Sequence, residues 1–366
     1  MLKCFRVMLT ATLGISVSTV VFASSIGFVQ TNLASDVPGA AAVTDPNLVN
    51  AWGIAASATS PFWIGANGSG TSVLYNGLGV KQGLTVSIPG DGSVTGVLFS
   101  NIAGKFNGDT FLFASEDGTV SGWRGALGTT AEALVPGSSA NVYKGLTEGS
   151  VAGNPYVYLA NFKAGKIDVL PGAGAPALPG TFTDLALPAG YAPFDIANLN
   201  GVLYVTYALQ DAAKHDDDPG AGHGFVDTFD LQGNFLGRLV SNGALDSPWG
   251  LAIAPAGFGD VGGDLLVGNF GDGLIHAYDP TTGALKETLM DANGNPLLID
   301  GLWGLDFGNG GGSGPTGTLY FTAGPDGESH GLFGELAPVP EPATWLLTGL
   351  SLIALVAHRV TKTRSV

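Results

Sequence analysis

Between residues 25 and 338 the apolar positions fall in short runs broken at close intervals by clusters of Gly, Asn, Asp and Pro. A helical period is hard to find there, and short apolar runs bounded by turn-forming residues predict strands. The chain is therefore expected to be all-β. One phrase recurs at the head of these runs: Asn50-Ala51-Trp52-Gly53-Ile54-Ala55, Ser247-Pro248-Trp249-Gly250-Leu251-Ala252 and Gly301-Leu302-Trp303-Gly304-Leu305-Asp306. Weaker copies stand at Ala192-Pro193-Phe194-Asp195-Ile196-Ala197, Thr95-Gly96-Val97-Leu98 and Lys144-Gly145-Leu146-Thr147.

Taken as the first strand of each unit, these phrases give about six repeats of roughly 45–55 residues, the size of a propeller blade and too long for most solenoids. Hairpins complete the units at 62–67 with 72–76, 110–115 with 118–123, 156–162 with 166–170, 202–207 with 224–229, 264–270 with 273–279, and 318–322 with 331–336. The last unit stops after its third strand. The run 26–33 resembles 285–289, which precedes the third Trp-Gly phrase, and so predicts an N-terminal strand that closes the last blade and removes the open edges. The expectation is one domain over residues 25–338, a six-bladed β-propeller with four strands to a blade. In it the Trp of each phrase packs between neighbouring blades, and the Gly lets backbones approach near the axis. Stacking on a ligand would require Trp52, Trp249 and Trp303 to line the channel mouth.

Composition agrees: 58 Gly, 21 Pro and only 12% charged residues favour tight turns over long helices. The ends of the chain have a different character. Lys3 and Arg6 precede an apolar stretch, and Val21-Phe22-Ala23 is an acceptable cleavage site, which predicts a signal peptide over residues 1–23. The only cysteine, Cys4, lies inside it, so the mature domain is expected to have neither thiol nor disulfide. At the other end Val339-Pro340-Glu341-Pro342 is followed by an apolar run and then by His358, Arg359, Lys362 and Arg364. The run holds about 15 residues nearly free of charge, short for a permanent span, and the basic residues after it are expected to stay cytoplasmic. An ordinary C-terminal membrane anchor has the same physics.

In the order Pro340, Glu341 and Pro342, apolar helix, Arg359 and its basic neighbours, the segment 339–366 resembles the PEP-CTERM sorting signal of Gram-negative bacteria. That resemblance implies recognition by an exosortase, with signal peptidase acting at the other end. It also implies an exported protein of the cell envelope or extracellular space, held transiently at the inner membrane by its C-terminal helix. The net charge of -16 becomes more negative once Lys3, Arg6, Arg359, Lys362 and Arg364 are removed. Such an excess disfavours nucleic acid and anionic lipid as partners and can attract cations.

The repeated strands resemble those of NHL and gluconolactonase-like six-bladed propellers. More narrowly, Asn47-Leu48-Val49-Asn50-Ala51-Trp52-Gly53-Ile54, Asp291-Ala292-Asn293-Gly294-Asn295-Pro296-Leu297 and Ile299-Asp300-Gly301-Leu302-Trp303-Gly304-Leu305 resemble an uncharacterised bacterial family, many of whose members carry PEP-CTERM tails. This resemblance implies fold and address and brings no activity.

In a propeller the loops joining second to third strands, and those entering each first strand, gather on one face around the channel. Here they are polar: Asn67, Glu116, Asp117, Asn161, the insert 211–223, Asn269, Asp272, Asp326, Glu328 and His330, with Asp45, Asp246 and Asp300 at the entries. Convergent oxygens of this kind suit Ca²⁺ or another hard cation. The insert His215-Asp216-Asp217-Asp218-Pro219-Gly220-Ala221-Gly222-His223 is longer than its equivalents, and it reads either as a metal- or sugar-binding loop or as a solvated one. Asp291 to Asn295 opens like an EF-hand loop, but Leu302 stands where the bidentate glutamate belongs, which predicts a turn. No Gly-x-Ser-x-Gly elbow lies at a strand-to-helix turn, and the histidines lack zinc-site spacing. The run 308–314 lacks the Lys-Ser/Thr of a phosphate loop and reads as a flexible connection.

Two functions remain open. One is a non-enzymatic, exported binding protein of the cell surface or matrix, with exopolysaccharide or a surface protein as partner and Glu116, Asn161, Asp216, Asp217, Asp218 and Asn269 as ligand residues. The alternative is a Ca²⁺-dependent hydrolase of gluconolactonase type, in which Glu116, Asn161 and Asn269 hold the ion that polarises a carbonyl.

Overall fold

A computed structural model describes residues 27–100, 102 and 105–339. The expected signal peptide over 1–23 and sorting tail, apart from Val339, lie outside the described residues. Among the described residues no helix is long and apolar enough to cross a membrane.

Six antiparallel sheets follow one another along the chain as six blades. The first is Ala51–Ala55, Phe62–Ala66, Thr71–Tyr75 and Lys81–Ser87; the second is Val94–Phe99, Phe111–Ser115, Val120–Trp123 and Glu132–Val135. The fourth is Tyr191–Leu199, Val202–Leu209, Phe225–Asp230 and Phe235–Ser241, and the fifth Pro248–Ile253, Leu265–Asn269, Ile275–Tyr278 and Leu285–Thr288. In the sixth, Leu302–Phe307, Leu319–Ala323 and Leu332–Pro338 are joined by the N-terminal strand Phe28–Ser35, paired from Phe28↔Pro338 to Ser35↔Leu332. Strands from the two ends of the chain thus close the ring as expected, and the short Val43–Thr44 adds in parallel to the outer edge.

The third blade departs from expectation with three strands, Tyr143–Val151, Asn154–Asn161 and Lys166–Pro171. Pro176, Pro179 and Pro188 remove ladder donors from the segment that would supply a fourth. That segment docks instead on the fourth blade, where the Gly180 and Phe182 amides donate to the Gln232 and Gly233 carbonyls and the Phe182 ring is buried. The run 308–314 is also a correction. It is braced: the Asn309 carboxamide oxygen accepts from the Gly311 and Ser313 amides, and its Nδ2 donates to the Ser57 and Ser60 carbonyls of the first blade. Asp291 to Asn295 is the expected turn, with Asp291 Oδ1 accepting from the Asn293 and Asn295 amides at 2.8 and 2.9 Å.

The core divides into one apolar cluster between each pair of neighbouring blades and a further one on the axis. Close approach of the blades depends on the phrase glycines. A Cβ on Gly53 would stand 2.6 Å from the Val97 nitrogen of the second blade and closer still to the Thr95 oxygen.

The phrase tryptophans do not fill the clusters between blades. In every innermost strand the pairing register shifts at the Trp-Gly position, between Ala51 and Ile54, Val94 and Val97, Tyr143 and Leu146, Pro193 and Asp195, Pro248 and Gly250, and Leu302 and Leu305. Such a bulge re-aims one side chain. Trp52, Phe194, Trp249 and Trp303 meet on the axis, where Trp52 stacks on Trp303 at 3.8 Å and Trp249 meets Trp303 edge-on at 5.8 Å. Phe162 and Phe270, from the ends of second strands, complete this plug. With Trp52, Trp249 and Trp303 no more than 5% exposed, they are packed residues, not a stacking platform.

Candidate functional site

The same bulged position in the six blades holds Trp52, Thr95, Lys144, Phe194, Trp249 and Trp303. In the third blade a lysine therefore points at the axis. Its side chain is 1% exposed, and its ammonium pairs with Glu116 from the second blade and, at 2.9 Å, with Asp216 from the long loop of the fourth. It also lies 5.0 Å from the centre of the Trp52 ring, a cation–π contact. Burial alone would lower the pKa of Lys144, but the two carboxylates outweigh it and raise the pKa, so the ammonium stays charged.

The network extends around the mouth. Glu116 accepts from Asn67 Nδ2 at 3.0 Å, Asn50 Nδ2 donates to Glu328 at 2.7 Å, and Trp303 Nε1 donates to Asn50 Oδ1 at 3.3 Å. His215 Nδ1 stands 3.1 Å from Asp216. Burial raises the pKa of Glu328 against the opposing hydrogen bond from Asn50, while the pull of Lys144 and His215 on Asp216 overcomes burial and lowers its pKa.

The insert reaches the axis because Asp211 organises it. Asp211 Oδ1 accepts from the His215 amide at 2.8 Å, and Gly220 N donates to Asp246 Oδ1 at 2.7 Å. Asp216 is delivered to Lys144 and is 63% exposed on its outer side. Asp217 turns inward, and burial pushes its pKa up to about 6 against the opposing pull of Ser247 and Lys144. Asp218 is exposed; its carbonyl oxygen lies 2.8 Å from His223 Nδ1.

Of the six candidate ligand residues, the structure thus gathers Glu116, Asp216 and, beside them, Asp217. It does not bring Asn161 or Asn269 to the mouth. Both are fully buried and close the turn after a second strand: Asn161 Nδ2 donates to Asn141 and Asp168, and Asn269 Nδ2 donates to the Ala244 carbonyl and Asp272. All three entry aspartates are likewise occupied, Asp45 by Tyr75 and Lys81, Asp246 by the Gly220 amide, and Asp300 by the Asp326 amide.

Glu116, His215 and Asp216 could each offer an atom to one cation, these atoms lying within 4.8 Å of one another. Lys144 already neutralises two of the three. A Ca²⁺ centre needs six or more oxygens, and the set expected for a hydrolase of gluconolactonase type, Glu116 with Asn161 and Asn269, is not assembled, since both asparagines are buried in turns. Beside the network an open depression of about 490 Å³ is lined by polar groups of Glu116, Asp117, Ser138, Asn141, Lys163 and His215. Lys144 escaped sequence reasoning although a signal was present, since a lysine occupies the Trp place of a repeat phrase.

No protein-family model matches the chain. An uncharacterised protein of Acanthamoeba polyphaga mimivirus is 34% identical over 330 residues, which cover 83% of this chain and 78% of that protein. A second uncharacterised mimivirus protein is 32% identical over 325 residues, 81% of this chain and 82% of that one. These relatives are viral, whereas the sequence resemblance pointed to bacteria, and the sorting assignment rests on the tail residues alone. Among solved structures a glucose dehydrogenase superposes with a TM-score of 0.51 at 12% identity, over 86% of this chain and 100% of that chain. That likeness shows the shared fold alone.

Proposed function

The chain belongs to the family of these two mimivirus proteins, and on that premise, which brings no chemistry, we propose from the channel mouth that it is an exported binding propeller and not a Ca²⁺-dependent hydrolase. The observation that carries the proposal is Lys144. Its buried ammonium occupies the place on the axis that a catalytic cation would need, and it uses the carboxylates that would hold one. Five blades contribute to the resulting network, which makes the mouth a locked polar surface. The adjoining depression, with its serines, Asn141, Lys163 and His215, suits the hydroxyl groups of a polysaccharide, and exopolysaccharide is the partner this surface fits best.

Export rests on the two ends of the sequence. It is compatible with the fold, because the last strand ends at Pro338 and the Val339 amide is tied to the Gly27 carbonyl. Exosortase cleavage near Pro340 would leave every strand in place. The proposal is tested by incubating the protein with lactone and phosphoester substrates in Ca²⁺, and with exopolysaccharide in a co-sedimentation assay. Saturable sedimentation that is lost on Lys163→Ala combined with His215→Ala is expected. Metal-dependent hydrolysis that Glu116→Ala abolishes would overturn the proposal.

A further inference from the structure

The opposite end of the channel contains a separate cavity of about 360 Å³, lined by the later residues of the innermost strands and floored by Trp249 of the aromatic plug. None of Lys144, Glu116 or Asp216 reaches it. Most of its lining side chains are aliphatic, with as much polar as apolar surface exposed, and two acidic residues line it, Asp195 from the fourth blade and Asp306 from the sixth.

Asp195 stands where the repeat has glycine. The Gly304 amide donates to Thr322 Oγ1 at 2.9 Å, and the Asp195 amide donates to Thr206 Oγ1 at 2.9 Å, so the two positions are equivalent. The other blades hold Gly53, Gly96, Gly145 and Gly250 there. Room for the carboxylate comes from Gly145 of the third blade, where any Cβ would overlap Asp195 Oδ1. The residue is 8% exposed. Its side chain has no cationic partner among the described residues, and only the Ile196 amide beside it offers a hydrogen bond. Asp306 lies two residues past the phrase glycine Gly304, is partly buried, and has the Phe307 amide as its neighbour. A second cavity of about 290 Å³ adjoins the first, and Asp306 lines both.

Burial pushes Asp195 up to about 8 and Asp306 up to about 7. A carboxyl group in apolar surroundings without a partner is costly, and an opposite charge offsets that cost. We infer that this cavity binds a small organic cation of the alkylammonium class, its charged head drawn to the carboxyl groups of Asp195 and Asp306 and its chain against Leu98, Leu251 and Trp249. A hard metal ion fits poorly, because it demands six or more convergent oxygens and only two carboxyl-bearing residues line the cavity. The volume of about 360 Å³ is that of a small-molecule site. The inference is independent of the export proposal, since it concerns the other end of the channel and other residues.

The test is calorimetric titration of the full chain, purified in a mild nonionic detergent at pH 8, with n-butylammonium and 1,4-diaminobutane, and with 1-pentanol as a neutral control. Saturable binding of the amines is expected, and none of 1-pentanol. Asp195→Asn and Asp306→Asn should each weaken it at least about tenfold, the scale of losing one charge-assisted contact. Should one variant fail to fold, the other decides. Absence of saturable amine binding, equal binding of 1-pentanol, or amine affinity unchanged in both variants would overturn the inference.

Discussion

Replacing Asp195 by Asn removes a carboxyl group that the folded chain keeps protonated into neutral pH, and the consequence for stability can be worked from its surroundings. Burial pushes the group from its ordinary value near 3.8 up to about 8. Below about pH 4 both folded and unfolded chains hold the proton, and the group has no effect on stability. Between about pH 4 and 8 the unfolded chain ionises while the folded chain does not, so stability falls with rising pH; above about 8 the penalty is complete. At 1.36 kcal/mol per unit, a gap of about four units sets a ceiling of roughly 5–6 kcal/mol. Water in the adjoining cavity and local relaxation should reduce this to about 2–4 kcal/mol. The carboxamide of the variant has nothing to ionise. Urea unfolding of wild type and Asp195→Asn at pH 4.5 and 8.5 should therefore show the variant gaining about 2–4 kcal/mol on wild type between the two. Asp306, Asp217 and Asp227, pushed up to about 7, 6 and 6, slope in the same direction and cancel in this difference. A difference that is flat with pH, or that shrinks as pH rises, would refute the reasoning.

Lys144→Met should destabilise the protein by about 3–5 kcal/mol, because it strands Glu116, whose side chain is 12% exposed, without its partner. Thermal unfolding measures the loss, and Lys166→Ala, which breaks an ion pair whose lysine is 60% exposed, should change stability by less than about 1 kcal/mol. Gly53→Ala should lower stability by about 1–3 kcal/mol in the same assay, since the new Cβ meets second-blade backbone that cannot rotate away.

The ring was legible in the sequence because the Trp-Gly phrase marks each unit and turn residues bound each strand. The closing strand was legible because an unpaired last blade demands one, and Phe28–Ser35 fills that place. The axial plug was not, since alternation gives the face of a strand residue and does not show the bulge that turns Trp52 and Trp303 inward. Asn161 and Asn269 looked like ligands because they sit on the polar face; in the structure their carboxamides close turns, which is what Asn at a strand end commonly does. Glu116 and Asp216 were legible as acidic loop residues, but what neutralises them was hidden in a weak repeat copy. Lys144 in a Trp place and Asp195 in a Gly place are departures from the repeat, and each of these departures gives the channel an ionisable group.

That a lysine ammonium, and no metal ion, neutralises the carboxylates at the channel mouth is tested most directly by melting the protein in excess EDTA and in millimolar Ca²⁺. A bound native-state ion raises the transition according to its concentration relative to Kd. The melting temperature is expected to agree within about 1 °C in the two conditions, below the shift of roughly 2–4 °C that even 1 kcal/mol gives in a domain of moderate size. A saturable rise with Ca²⁺ that disappears in Glu116→Ala would contradict it.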